Sequence, residues 1–187
     1  MSDLASTHQE FNPDNLNPKK LHALLLGGVA PRPIAFASTI DKEGRVNLAP
    51  FSYFNVFSAN PPILIFSPAR RGKDNTTKHT LDNVLEVPEV VINMVDYDLV
   101  HACSLASTDY PQGVNEFEKA GLTEVPSVTI TPPRVLESPV SMECKVLKVE
   151  SFGPNPGAGN LVFCEIKRMH FRNNVLGSDG LPDADLL

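Results

Sequence analysis

The sequence is short of cysteine, of long apolar runs and of positive charge, and each shortage removes a class of function. Its three cysteines, Cys103, Cys144 and Cys164, lie far apart without Cys-x-x-Cys spacing, so neither a redox dithiol nor a zinc site is expected. They read as reduced core thiols. A cross-strand bond between Cys144 and Cys164 stays open on sequence alone and is disfavoured in a reducing compartment. No run of about 18 apolar residues occurs, so no membrane-spanning helix is expected. The polar start MSDLASTHQEFNPDNLNPKK lacks the apolar segment of a signal peptide, and a cytoplasmic location is the expectation. A formal charge of −6 and a pI near 5.3 argue against nucleic acid or an anionic membrane as partner, since both are bound by clustered positive surface.

Catalytic signatures are also missing. There is no Gly-x-Ser-x-Gly elbow and no Walker loop, and the histidines at 8, 22, 79, 101 and 170 lack metal-ligand spacing, so no metal site is expected. The run GAGNLV (157–162) begins like a dinucleotide fingerprint. It lacks the third glycine and leads into a strand-like segment where a helix N-terminus is required, so it reads as a hairpin loop. Ser38 and Thr39 end a strand, with nothing in the sequence to bring a histidine and a carboxylate beside them.

What is present is enough for one domain of 187 residues, 42% of them hydrophobic. Residues 1–16 are polar and aperiodic and are expected to form a flexible arm, either loose or laid across a neighbouring subunit, with 17–187 as a single domain. NPKKLHALLLGG predicts a short helix capped by Asn17, with Pro18 in its first turn and Gly27 past its end. PIAFASTI and RVNLA, joined by DKEG, predict a β-hairpin. ILIF (63–66) and EVVINMV (89–95) read as strands, HTLDNVLEV as a helix, and Asp96 as a cap for a helix through YDLVHACSLAST. The proline-rich segment 109–139, with one helical turn at NEFEKAG, reads as an ordered surface excursion. A second long hairpin pairs VSMECKVLKVESF with NLVFCEIKRMHF. About six strands with few short helices indicate an antiparallel barrel or sandwich.

Two stretches carry the chemistry. NLAPFSYFNVFSANPP (47–62) combines prolines, aromatic rings and short polar side chains, and suits neither a regular helix nor a clean strand. A flat heteroaromatic ligand would use such a surface, and a strand leaving the core through a stiff bend is the plainer explanation. ARRGKDNTTKHT (69–80) gathers Arg70, Arg71, Lys73 and Lys78 with three threonines in an otherwise acidic chain. Lys78 and Thr80 lie at the start of the expected helix, where free amides and the helix dipole favour a phosphate, while arginine adds bidentate pairing. A solvated basic loop is the alternative. Strand 63–66 joins the two stretches, so one molecule could present its ring to the first and its phosphate to the second.

The blocks APRPIAFASTIDKEGRVNLAPFSYFNVFSANPPILIFSPAR, KHTLDNV, VVINMV, YPQGVNEFEKAGL and PPRVLESPVSMECKV occur in that order. Over residues 22–171 the chain resembles the flavin reductase-like, FMN-binding split-barrel family, which includes flavoredoxin and the reductase components of two-component monooxygenases. The resemblance implies a mainly β, six-stranded antiparallel split β-barrel with short peripheral helices, a homodimer, and FMN near the subunit interface. It implies an oxidoreductase activity, NAD(P)H-dependent flavin reduction, with NAD(P)H as a transient substrate and a partner monooxygenase or electron acceptor protein downstream. The alternative is a flavoredoxin-type electron carrier that holds FMN tightly and has no significant NAD(P)H turnover. No catalytic side chain is implied, since the flavin carries the chemistry. By resemblance Asn47, Ala49, Pro50, Ser52 and Asn55 would line the isoalloxazine, with Phe51 in the apolar wall of the 51–57 stretch. Ser67, Arg70, Lys78 and Thr80 would take the ribityl and phosphate end, with Arg32 near the same cleft. The family commonly has Lys-Asp-Thr where this chain has Lys78-His79-Thr80, a change that makes the local field more positive.

Overall fold

In the computed structural model, residues 7–186 are described, and the first six positions of the expected arm lie outside that range. The chain divides into two units, one ending at Arg32 and one running from Pro33. In the first, Asn12 caps a short 3-10 turn at Pro13–Asn15. Helix α1 (Pro18–Gly28) then starts as the sequence requires, with Asn17 Oδ1 accepting from Lys20 N at 2.9 Å. It runs through Gly27 and Gly28, two residues beyond the expected end, and closes where Val29 N donates to Leu25 O.

The second unit opens with the expected hairpin of β1 (Ala35–Ile40) and β2 (Val46–Phe51). Asp41 builds its turn: Oδ1 accepts from Glu43 N and Arg45 N at 3.1 and 2.9 Å, and Gly44 takes the left-handed φ of 79° that the turn needs. The aromatic stretch is more regular than its composition indicated. It forms the end of β2 and all of β3 (Phe54–Ala59), which turns through Asn60–Pro61 into β4 (Pro62–Phe66). Pro50 is tolerated because β2 lies at the edge of the sheet, where a missing N–H breaks no ladder. Helix α2 (His79–Glu86), β5 (Glu89–Asn93), α3 (Val100–Ala106) and α4 (Glu116–Ala120) follow. A small ladder of β6 (Glu124–Val125) and β7 (Arg134–Val135) interrupts the proline-rich excursion.

The spine is the hairpin of β8 (Val140–Ser151) and β9 (Asn160–Phe171). Its two register shifts, between Glu143 and Cys144 and between Val146 and Lys148, let these twelve-residue strands coil. β5 pairs with the first part of β8, and β4 with the first part of β9, so two half-sheets hang from one hairpin. The order is β2-β1-β5-β8-β9-β4-β3, all antiparallel. The main sheet has seven strands where six were expected, because the aromatic stretch adds β3 to the end of β2. The mainly β split-barrel class is as expected.

Between the half-sheets lies the main core, with Ala35, Ala37, Leu64, Phe66, Val90, Ile92, Cys144 and Cys164 all fully buried. Burying each large apolar side chain contributes about 1.5–3 kcal/mol. Phe51 of β2 meets Phe66 of β4 at a ring-centroid separation of 5.5 Å, so the halves close through side chains there. A second cluster, Phe36, Leu48, Ala106, Phe117 and Val135, seats α3 and α4 on the outer face of β1 and β2. All three cysteines are free. Burial pushes the Cys144 and Cys164 thiols up, which keeps them protonated and inert.

Candidate functional site

Helix α2 is the anchor of the site. Its amphipathic spacing turns Leu81 and Val84 to the core, while Asn83 Nδ2 donates to Thr39 Oγ1 of β1 at 3.1 Å. This packing sets the helix N-terminus beside the start of β2. There Asn47, 7% exposed, donates from Nδ2 to Thr80 Oγ1 at 2.9 Å. The bond ties the start of the aromatic stretch to the end of the basic one, so these two sequence signals meet in one place.

Lys78 is the N-cap residue of α2, with extended backbone and no side-chain capping bond. The amides of His79 and Thr80 meet no acceptor among the described residues, and the half-buried Lys78 ammonium has neither a hydrogen bond nor an ion pair there. Burial, and next the charge of Arg71, hold its pKa below the ordinary lysine value. The same two causes lower His79. A cation, two free N–H groups and a helix N-terminus thus converge without a directly paired anion among the described residues, which is the donor set of a phosphate site.

The other cations are committed. Arg70 donates from Nε to Asn75 Oδ1 at 2.9 Å and from a terminal nitrogen to Asn75 O, clamping a residue with φ of 59°, a left-handed conformation that asparagine tolerates. Arg71, whose side chain is 11% exposed, donates to Asp109 Oδ1 at 3.1 Å, to Thr76 Oγ1 at 3.2 Å and to Thr77 O, and its remaining nitrogen lies 3.4 Å from His79 Nε2. Lys73 pairs with the other oxygen of Asp109. Between them, Lys73 and Arg71 lower Asp109 to about 2.

Ser67 follows β4, is 8% exposed, and donates its amide to Tyr53 O at 2.9 Å. The backbone of Gly159 passes so close that an added Cβ would lie 2.8 Å from Ser67 Oγ. This contact exposes a role that sequence reading missed. The GPNPGAG turn between β8 and β9 holds the basic loop, through Arg70 N to Ala158 O at 2.9 Å, Gly157 N to Arg70 O at 3.1 Å and Asn75 Nδ2 to Pro154 O at 2.9 Å. Its glycines and prolines signalled a tight turn, and nothing local signalled its docking partner. Glu116 is a second omission. It is 5% exposed and accepts from Leu48 N at 2.9 Å, fixing the free edge of β2, and burial raises its pKa.

The remaining expected residues divide. Ala49, Pro50 and Ser52 are partly buried at the end of β2 and just after it. Phe51, 9% exposed, gives its ring to the main core. Asn55 is exposed on β3, its Oδ1 accepting from Val56 N, and Tyr53, Val56 and Phe57 beside it are also exposed, so in the single chain the 51–57 stretch turns apolar side chains inward only at the buried Phe51 and the partly buried Phe54. Arg32 belongs to the first unit, where it donates to Leu26 O at 2.5 Å and to Val29 O across the end of α1. Among the described residues no cluster of histidine, cysteine and carboxylate is arranged to hold a metal, and no helix is long and apolar enough to cross a membrane.

Comparison with known proteins agrees with the fold. An uncharacterized protein of Halalkalibacterium halodurans is 40% identical over 179 residues, covering 95% of this chain and 85% of the relative. The crystal structure of nitrilotriacetate monooxygenase component B from Bacillus cereus superposes with a TM-score of 0.88 at 32% identity, over 95% of this chain and 88% of that one. The 2-nitrobenzoate 2-nitroreductase of Pseudomonas fluorescens gives 0.84 at 30% identity, over 96% and 85%. The model of the flavin reductase like domain matches residues 27–183, and the chain belongs to that family.

Proposed function

We propose that this protein is an FMN-dependent NAD(P)H:flavin oxidoreductase. The observation that carries the reading is the uncommitted, half-buried Lys78 ammonium at the N-terminus of α2, joined to β2 through the Asn47–Thr80 hydrogen bond. The residues present fit the mononucleotide: a donor set lacking an anion at one end, and a polar-apolar strand end at the other. Lys78, Thr80 and the amides of His79 and Thr80 would hold the phosphate, with Ser67 toward the ribityl chain. Asn47, Ala49, Pro50 and Ser52 would orient the ring. When bound, FMN supplies the hydride-accepting chemistry.

The chain's own contribution is to bind, orient and exclude water. Phe51 and Phe66 close the apolar floor beneath the end of β2, and a drier site strengthens the hydrogen bonds made there. No side chain is required as nucleophile. NADH or NADPH is read as a passing substrate, and a partner monooxygenase or another acceptor would take the electrons. A homodimer is part of this reading, because the exposed Val56 and Phe57 on edge strand β3, with Tyr53 just before it, would be covered by a second subunit.

Steady-state oxidation of NADH and NADPH by purified protein with added FMN tests the activity. The expected result is turnover above the free-flavin background with at least one nucleotide. Background rates with both would remove the reductase. Photoreduced holoprotein that then still reduced a protein acceptor would establish the electron carrier instead.

A further inference from the structure

Asp109 stands apart from the other carboxylates around the basic loop. Asp74 turns back onto Thr76 N and Oγ1 within its own turn, and Asp82 accepts from Thr77 Oγ1 in the first turn of α2. Asp109 comes from a different part of the chain, the 107–115 connection between α3 and α4, and reaches across to both Arg71 and Lys73. Its neighbours Gln112, Gly113 and Val114 line a depression together with Asn47 and His79, so this connection leans on the candidate phosphate site.

The geometry at Arg71 is that of a place already taken. Its Nε edge is occupied by the Asp109 carboxylate and its terminal nitrogens by Thr76, Thr77 and His79. A guanidinium presents this same Nε edge to phosphate oxygens. Asp109 is only partly covered, at 38% side-chain exposure, while Arg71 is held by three further contacts that do not depend on it. The carboxylate can therefore leave without releasing the arginine. Its charge also acts on Lys78 and His79, which places it within electrostatic reach of the uncommitted cation.

We propose that Asp109 is an internal competitor for the flavin phosphate, occupying Arg71 and Lys73 so that the site exchanges its mononucleotide instead of retaining it. The inference rests on the phosphate site proposed above and adds the determinant of residence time. It makes the flavin a releasable product or substrate in this chain, with the 107–115 connection as the anionic latch. Replacing the carboxylate by an amide keeps an acceptor for Arg71 Nε and removes the repulsion.

The test is stopped-flow dissociation of FMN, with riboflavin as the ligand lacking phosphate, from wild type, Asp109→Asn, Asp109→Glu and Asp98→Asn. Asp98 is exposed and is not among the groups acting on Lys78, so its variant controls for net charge. Asp109→Asn is expected to release FMN about five- to tenfold more slowly at low salt, with the difference shrinking as salt rises, while riboflavin release is unchanged. Asp109→Glu, which keeps the charge, should stay near wild type. FMN release that is unchanged or faster in Asp109→Asn would overturn the competitor role while leaving the flavin site standing. Wild type that binds neither flavin would overturn both. Should Asp109→Asn not fold, Asp109→Ser reads the same charge removal.

Discussion

Lys78→Met should weaken FMN binding without weakening the protein. In the ligand-free chain Lys78 is half-buried beside Arg71 and has no ion-pair partner among the described residues, so its ammonium already bears desolvation and like-charge repulsion. A bound phosphate relieves both. Losing one charge-assisted hydrogen bond costs about 1.5–3 kcal/mol, or roughly ten- to hundredfold in affinity. Methionine fills similar volume without charge, so the apoprotein should unfold at the same or slightly higher denaturant concentration. The assay is fluorescence titration of apoprotein with FMN and with riboflavin at fixed ionic strength, beside equilibrium unfolding of the apo form. Equal weakening for the two flavins would refute the placement of the phosphate. A loss of apoprotein stability above about 1 kcal/mol, the scale of a surface ion pair, would mean that Lys78 already has a partner.

Two further predictions concern the scaffold. Glu143 is fully buried, accepts from Val128 N, Thr129 N, Thr129 Oγ1 and His170, and is held at about 2 against an ordinary 4.5. Its folded value is depressed, so its contribution of roughly 3 kcal/mol is present above pH 4.5 and is lost as pH falls toward 2; urea unfolding at pH 7 and pH 3 should lose less stability in Glu143→Gln than in wild type, and equal losses would contradict this. Gly159→Ala would set a methyl 2.8 Å from Ser67 Oγ, forcing that hydroxyl to rotate. FMN and riboflavin should weaken together by about fivefold, the scale of one neutral hydrogen bond, and an unchanged Kd for both would remove Ser67 from the site.

Much of the fold was legible because it is written in short-range signals. Asn17–Pro18 started a helix, Asp41 through Gly44 made a turn, and the alternation of Val140, Met142 and Cys144 marked a strand. The aromatic stretch was harder. Its prolines and asparagines obscure the end of β2 and the whole of β3, whose pairing with β4 is a long-range feature that local composition does not reveal. The site was legible in outline for the same reason. Lys78 and Thr80 sit at a helix start visible in sequence, whereas the commitment of Arg70 to Asn75 and of Arg71 to Asp109 depends on a left-handed residue and on a carboxylate 38 positions away. Composition placed four cations in one loop. Only coordinates distinguish the three already engaged from the one still open.

The most direct measurement is a crystal structure of the protein grown with FMN. The account predicts one flavin with its phosphate oxygens within about 3.2 Å of Lys78 Nζ and the α2 amides, and its ring along the end of β2 from Asn47 to Ser52. A phosphate bound away from α2, or a ring lying where β2 cannot reach it in the same or a neighbouring subunit, would contradict it.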